Sequence, residues 1–177
     1  MARTQKGEYS IDGTDNIYVA STQAGVATSV ALSATQTGFT LTNPYGSGKT
    51  LVVLNINISQ SVAPGAAGAF VASANVNPIA AAVTQTTPLT VRKANLGVSG
   101  SGVGLAASAV TLPAASVVVR PIGGGALATG GIQSQFINDQ VDGALCVAPG
   151  CALSINTITT AVTAIIGMTW REVAEFA

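Results

Sequence analysis

Histidine is missing from this 177-residue chain. With it go Ser-His and Cys-His catalysis in their usual forms and the commonest transition-metal ligand. Carboxylates are nearly as scarce. Between Asn16 and Asn138 there is no Asp or Glu, so a paired-carboxylate site has only the chain ends, Asp139 and Asp142 to draw on. Charged residues make up 8% of the chain and cancel to zero net charge, against about 25% in an ordinary soluble domain. The seven Lys and Arg are scattered, which disfavours nucleic acid, because phosphate binding needs a dense positive patch. Long apolar runs are lacking too. A membrane span needs about 18 consecutive apolar residues, whereas the Ala-rich stretches Ala63 to Ala74 and Ile79 to Val83 are short or cut by Pro, Gly, Ser or Asn, and Leu51 to Ile58 is only strand-length. No membrane partner is therefore expected. The opening Met1-Ala-Arg-Thr-Gln-Lys-Gly-Glu-Tyr-Ser10 carries charges without the apolar run of a secretory signal, so synthesis in a reducing cytoplasm is expected. Taken together, these absences predict a protein that is not an enzyme, with no catalytic residues, cofactor or metal.

What is present points to a folded, β-rich chain. Abundant Val, Ile and Thr with no net charge is the opposite of the low-hydrophobicity, high-charge signature of disorder. A folded chain with so little charge has little to keep its copies apart, so much of its surface is expected to be covered by partners. Five of the fourteen charges, Arg3, Lys6, Glu8, Asp12 and Asp15, precede Asn16. That shift predicts an N-terminal arm over residues 1–16 and one β-sandwich domain over 17–177.

After Asn16 the chain reads as short β-branched runs separated by Gly, Pro, Asn and Ser clusters, the pattern of sandwiches and barrels. In Leu51 to Ser59, alternation places Val52, Leu54, Ile56 and Ile58 on one face and Asn55, Asn57 and Ser59 on the other. Gly38 to Asn43 alternates likewise. The intervening Asn43-Pro-Tyr-Gly-Ser-Gly48 has turn chemistry, which predicts a hairpin. Ala152 to Thr160 and Ala164 to Val173 predict a second hairpin, with Ile166, Met168 and Trp170 on one face. Weaker runs lie at Leu89 to Arg92, Ser108 to Leu112, Ser116 to Arg120 and Gln133 to Ile137. Gly97 to Gly104 and Gly123 to Gly131 read as loops or tight bends.

Four constellations invite a chemical reading. Gly46-Ser-Gly-Lys-Thr50 resembles part of a phosphate loop, yet Asn43 stands where the first Gly belongs and a strand follows where a helix is required, so a turn is the better reading. Asp139 and Asp142 could offer oxygens to calcium but lack the Gly and bidentate Glu of a known loop, so they read as a solvated polar turn. Arg92 and Lys93, with Arg3 and Lys6 in the arm, are candidate contacts to a partner. Cys146 and Cys151 cannot build a structural zinc site without further ligands. They are a candidate disulfide across Pro149-Gly150 if their Cα atoms lie within about 7 Å. Buried free thiols and a bond formed after release from the cell stand equal. Trp170, in phase with Ile166 and Met168, is expected in the core rather than stacked on a sugar.

The chain resembles small virion proteins of tailed phages. The residues that carry the likeness are Thr42-Asn-Pro-Tyr-Gly-Ser-Gly-Lys-Thr-Leu-Val-Val-Leu54, Pro149-Gly-Cys-Ala-Leu-Ser-Ile155 and Ile165-Ile-Gly-Met-Thr-Trp-Arg-Glu-Val173. The resemblance implies an all-β fold, a jelly-roll-like antiparallel β-sandwich with an N-terminal arm. It also implies a capsid decoration or cement protein on the outer capsid surface of the virion, commonly a homotrimer, with itself and the major capsid protein as partners. A receptor- or carbohydrate-binding module of a head fibre or tail is the alternative.

Overall fold

A computed structural model describes residues 16–62, 65–75, 83–125 and 136–175. Within them the chain forms β1 (Ile17–Ser21), β2 (Val26–Ala27), β3 (Thr35–Thr42), β4 (Lys49–Gln60), β5 (Gly68–Asn75) and β6 (Thr84–Leu89). These are followed by β7 (Arg92–Lys93), β8 (Leu105–Thr111), β9 (Val117–Gly125), β10 (Phe136–Val147), β11 (Ala152–Ile158) and β12 (Thr163–Ala174). They build two antiparallel sheets packed face to face. The first has the order β10-β4-β12-β1-β7, with β2 also on β12, and the second β6-β8-β3-β11-β5-β9.

The pairing is nested. β1 pairs with β12, β3 with β11, β4 with β10 and β5 with β9. First meets last and each inner pair follows, while consecutive strands usually cross to the opposite sheet. That is the connectivity of a jelly roll, a double Greek key closed into two sheets, and the expected fold class holds. It also overturns both expected hairpins. β3 and β4 lie in different sheets, as do β11 and β12, so the turns after Asn43 and after Ile158 are corners between layers. Turn chemistry reverses the chain in either case, and only pairing over long sequence separations distinguishes a corner from a hairpin.

The chain between β5 and β9 departs from this plan. β6 and β8 extend the second sheet beyond β3, and the short β7 extends the first beyond β1. This insertion widens one side of the sandwich. On the opposite side the edge strands are β9 and β10. β9 continues through Gly123 to Gly125, so those glycines belong to a strand and not to the expected loop, whose remainder over 126–131 lies outside the described residues, as do 133–135 ahead of Phe136.

The core is supplied by alternation. From β12 come Ala164, Ile166, Met168 and Trp170, and from the second sheet Phe39, Leu41, Phe70, Ala72, Leu153 and Ile155, all buried. Trp170 is fully buried, as expected, and stacks on Tyr18 with ring centroids 6.3 Å apart. At about 25 cal/mol per Å², the roughly 200 Å² that such a ring removes from water contributes about 5 kcal/mol gross. β4 corrects the predicted face. Leu51, Val53, Ile56 and Ile58 are the inward residues, because the register against β12 slips between Val53 and Asn55 and leaves Leu54 as a bulge. One extra residue inverts the phase of alternation, so Val52 points outward while Asn55, Asn57 and Ser59 remain outside as expected.

Candidate interaction surface

Asn43 opens the corner that the sequence resembling a phosphate loop occupies. Its side chain is fully buried. Its Nδ2 donates to the carbonyls of Lys49 (2.7 Å) and Val147 (2.8 Å), while Oδ1 accepts from Ser47 Oγ at 2.6 Å. Its backbone N–H donates to Cys151 O at 3.0 Å and its carbonyl accepts from Gly150 N–H at 2.8 Å. Gly46 and Gly48 take positive φ, 72° and 65°, to close the turn, a conformation that costs glycine little. Lys49 then begins β4. The segment is a corner pin joining three stretches of chain, in agreement with the turn reading.

Glu172 is the buried carboxylate that sequence reasoning did not single out. It is 5% exposed on the inward face of β12 and accepts the backbone N–H of Val103 (3.0 Å) and Gly104 (2.9 Å), with the Trp170 indole N–H at 3.4 Å. A Cβ on Gly102 would fall 2.2 Å from Glu172 Oε1, and one on Gly104 2.9 Å from Trp170 Nε1. The glycines are there for close approach, and the far end of the expected flexible loop is anchored. Donors spent on a structural carboxylate satisfy its buried charge. The position in phase with Trp170 was the available signal.

Arg92 and Lys93 form β7 at the outer edge of the first sheet, opposite Val19 and Tyr18. With Leu96 and Val98 they line an open depression of about 390 Å³. Arg3 and Lys6 lie outside the described residues, as does nearly all of the expected arm. Asp139 is not part of a solvated turn. It sits within β10, and both its oxygens accept from Arg120 of β9, through Nε and Nη2, at 2.8 Å. Asp142 is nearby with φ 49°, in the four-residue irregularity that separates Gln140 from Leu145. Among the described residues no group of three His, Cys, Asp or Glu side chains is placed to hold a metal.

The Arg120–Asp139 fork ties β9 of the second sheet to β10 of the first, and at this partial exposure is worth on the order of 1 kcal/mol. Ile137 packs beside Gly123 on the same seam. Beyond Arg120 the two edges part. Val119 of β9 and Leu145, Cys146 and Val147 of β10 then flank a mainly apolar cleft of about 280 Å³, floored by Ala74, Ala152 and Leu153. Cys146 and Cys151 both line it. They are free thiols, Cys146 exposed and Cys151 half-buried, and burial pushes the Cys151 thiol above its ordinary pKa. Val117, Val118 and Val119 of β9 are 50%, 43% and 39% exposed, and Phe136, at the other end of β10, is 68% exposed. β9 is an edge strand with bulges at Val119 and Ile122, which bend the edge and blunt it as a template for strand pairing.

The outer face of the first sheet is polar but uncharged over its middle. Asn55 and Asn57 lie across from Gln140 and Asn138, and Thr169 and Gly167 continue these rows on β12. Asn55 Nδ2 donates to Asn138 Oδ1, and Gln140 Nε2 to the same oxygen at 3.3 Å. The structure thus brings Cys146 and Cys151 to one cleft and leaves Arg92 and Lys93 on the far edge of the sandwich. Comparison with known proteins yields no matching family model, no matching curated protein and no matching solved structure.

Proposed function

We propose that this chain is a non-enzymatic structural subunit of a tailed-phage virion. In this reading it is a decoration or cement protein on the outer capsid surface that assembles with itself and clamps neighbouring major capsid protein subunits. The observation that carries the reading is the β9–β10 side: three consecutive exposed valines, an exposed phenylalanine and an apolar cleft, on a chain only 8% charged with zero net charge. Exposed apolar area of this kind is characteristically covered by protein. A standard interface buries about 1,600 Å², gross stabilisation that exceeds the cost of ordering only in part, so several contacts on one assembly acting together suit the task. A homotrimer would present three such contacts. Purified chain should co-sediment with phage heads stripped of accessory proteins and saturate at a fixed ratio to the major capsid protein. If it stays in the supernatant at capsid excess, the reading fails.

A second reading is favoured by the uncharged amide face of Asn55, Asn57, Asn138 and Gln140 with Phe136 at its end: a receptor- or carbohydrate-binding module of a head fibre or tail. Amide side chains offer paired donors and acceptors to sugar hydroxyls. Glycan-array binding without capsid binding would select it.

A further inference from the structure

We infer that copies of this chain join head to tail, with Phe136 of one copy seated in the cleft between β9 and β10 of the next. This rests on the self-association part of the function proposed above and names its contact.

Phe136 is the first residue of β10 and is 68% exposed, opposite the exposed Ser59. An aromatic ring left that far in water is the residue type most enriched, with Trp, Tyr and Arg, at the centre of protein interfaces. The cleft lies at the other end of the same strand, at Leu145, Cys146 and Val147. Its volume, about 280 Å³, exceeds the roughly 150 Å³ known to hold a benzene molecule, so a benzyl side chain fits. The lining is mostly apolar, from Ala74, Val119, Leu145, Val147 and Leu153, with the Asn75 amide as a polar member.

Phe136 lies opposite Ser59 and Cys146 opposite Val52, and that stretch of β4 at about 3.3 Å per residue places the ring about 20 Å from the cleft of its own chain. A knob and a hole that far apart on one edge cannot meet within one copy. They meet between copies, and because two different patches touch, the contact is heterologous: it closes a ring or, if the rotation does not close, builds an open chain. The exposed Val117 pairs with Ala74 of the cleft floor and would extend the apolar contact around the seated ring. Zero net charge means that no long-range repulsion opposes the approach.

The native thiols supply the test. Cys146 and Cys151 line the cleft, so F136C puts a third thiol on the incoming knob. Oxidation by diamide, which takes up the two hydrogens as each S–S bond forms, should give covalent multimers on non-reducing gels. The same variant carrying C146S and C151S should give none. In parallel, F136A should weaken self-association in light scattering by at least about tenfold, the loss expected of a central aromatic anchor. Trp170 fluorescence should stay unchanged, since an exposed side chain contributes little to folding. Equal cross-linking with and without Cys146 and Cys151, or unaltered association of F136A, overturns the inference. Should F136A and wild type coat capsids alike and associate alike, this contact is wrong while the capsid reading stands. Loss of association in F136A by a chain that ignores capsids supports the contact and removes the capsid reading.

Discussion

The two sheets are made from similar residues but meet different surroundings. In the first, β12 alternates strictly, with Ala164, Ile166, Met168, Trp170 and Glu172 buried and the residues between them at least partly exposed. In the second, β11 is buried on both faces from Ala152 to Thr157, and β5 is buried at Phe70, Val71, Ala72 and Ser73. The outward residues of this doubly buried region are mostly small or polar, and several of them pair across the strands. Thr40 and Ser154 hydroxyls lie 2.9 Å apart, and Asn156 Nδ2 donates to Ser73 Oγ at 2.8 Å. A polar residue on the outer side of a strand is therefore no sign of water. What matters is whether its hydrogen bonds close within the sheet, as burial without them costs on the order of 1–3 kcal/mol per group.

The sharpest way to break this contrast is to place the same charge on each outer face. Ser154→Lys, in the doubly buried sheet, should cost more than about 4 kcal/mol and abolish cooperative folding, because an ammonium would be buried without a partner. Asn57→Lys, on the open face beside Gly167, should change the unfolding free energy measured in urea by no more than about 0.5 kcal/mol. Comparable losses in the two variants would show that the faces do not differ as described. The corner that sends the chain from one sheet to the other comes next. Asn43→Ala removes three side-chain hydrogen bonds at a fully buried site and should destabilise by about 2–4 kcal/mol in chemical denaturation.

A smaller effect is expected at the other corner. Thr159, between β11 and β12, is exposed and holds φ at 84°, which is unfavourable for a β-branched residue. Thr159→Gly should raise stability by up to about 1 kcal/mol, relief of strain outweighing the entropy of glycine. The least effect on the fold concerns the thiols. Cys146, exposed, should react with iodoacetamide first. Cys151 should react more slowly and require a more alkaline solution than an ordinary thiol, since burial favours its protonated form. Equal rates for both across the alkaline range would contradict the cleft geometry.

Several features were legible in the residues alone. Strand identity followed from period-two alternation, and Trp170, Met168 and Ile166 declared their face because β12 runs without interruption past them. The Asn43 turn was equally readable, since Gly46 and Gly48 sit where positive φ is needed. Other features were hidden for definite reasons. Val52 and Leu54 misled because the bulge at Leu54 depends on the partner strands β10 and β12, not on β4 itself. The hairpins misled because Pro, Gly and Asn reverse the chain without choosing its next neighbour. Asp139 looked solvated because Arg120, nineteen residues away, lies in the other sheet.

By itself, the sequence determined that this protein is built of strands and corners, with a core of alternating apolar residues and a surface carrying little charge. Those properties depend on side-chain type and on spacings of a few residues. Tertiary structure decided which strands pair, and hence the nested jelly roll, the doubly buried β11, the Arg120–Asp139 seam and the cleft that receives Cys146 and Cys151. Each of these joins residues distant in sequence, and such contacts form only when the whole set of apolar faces is buried at once.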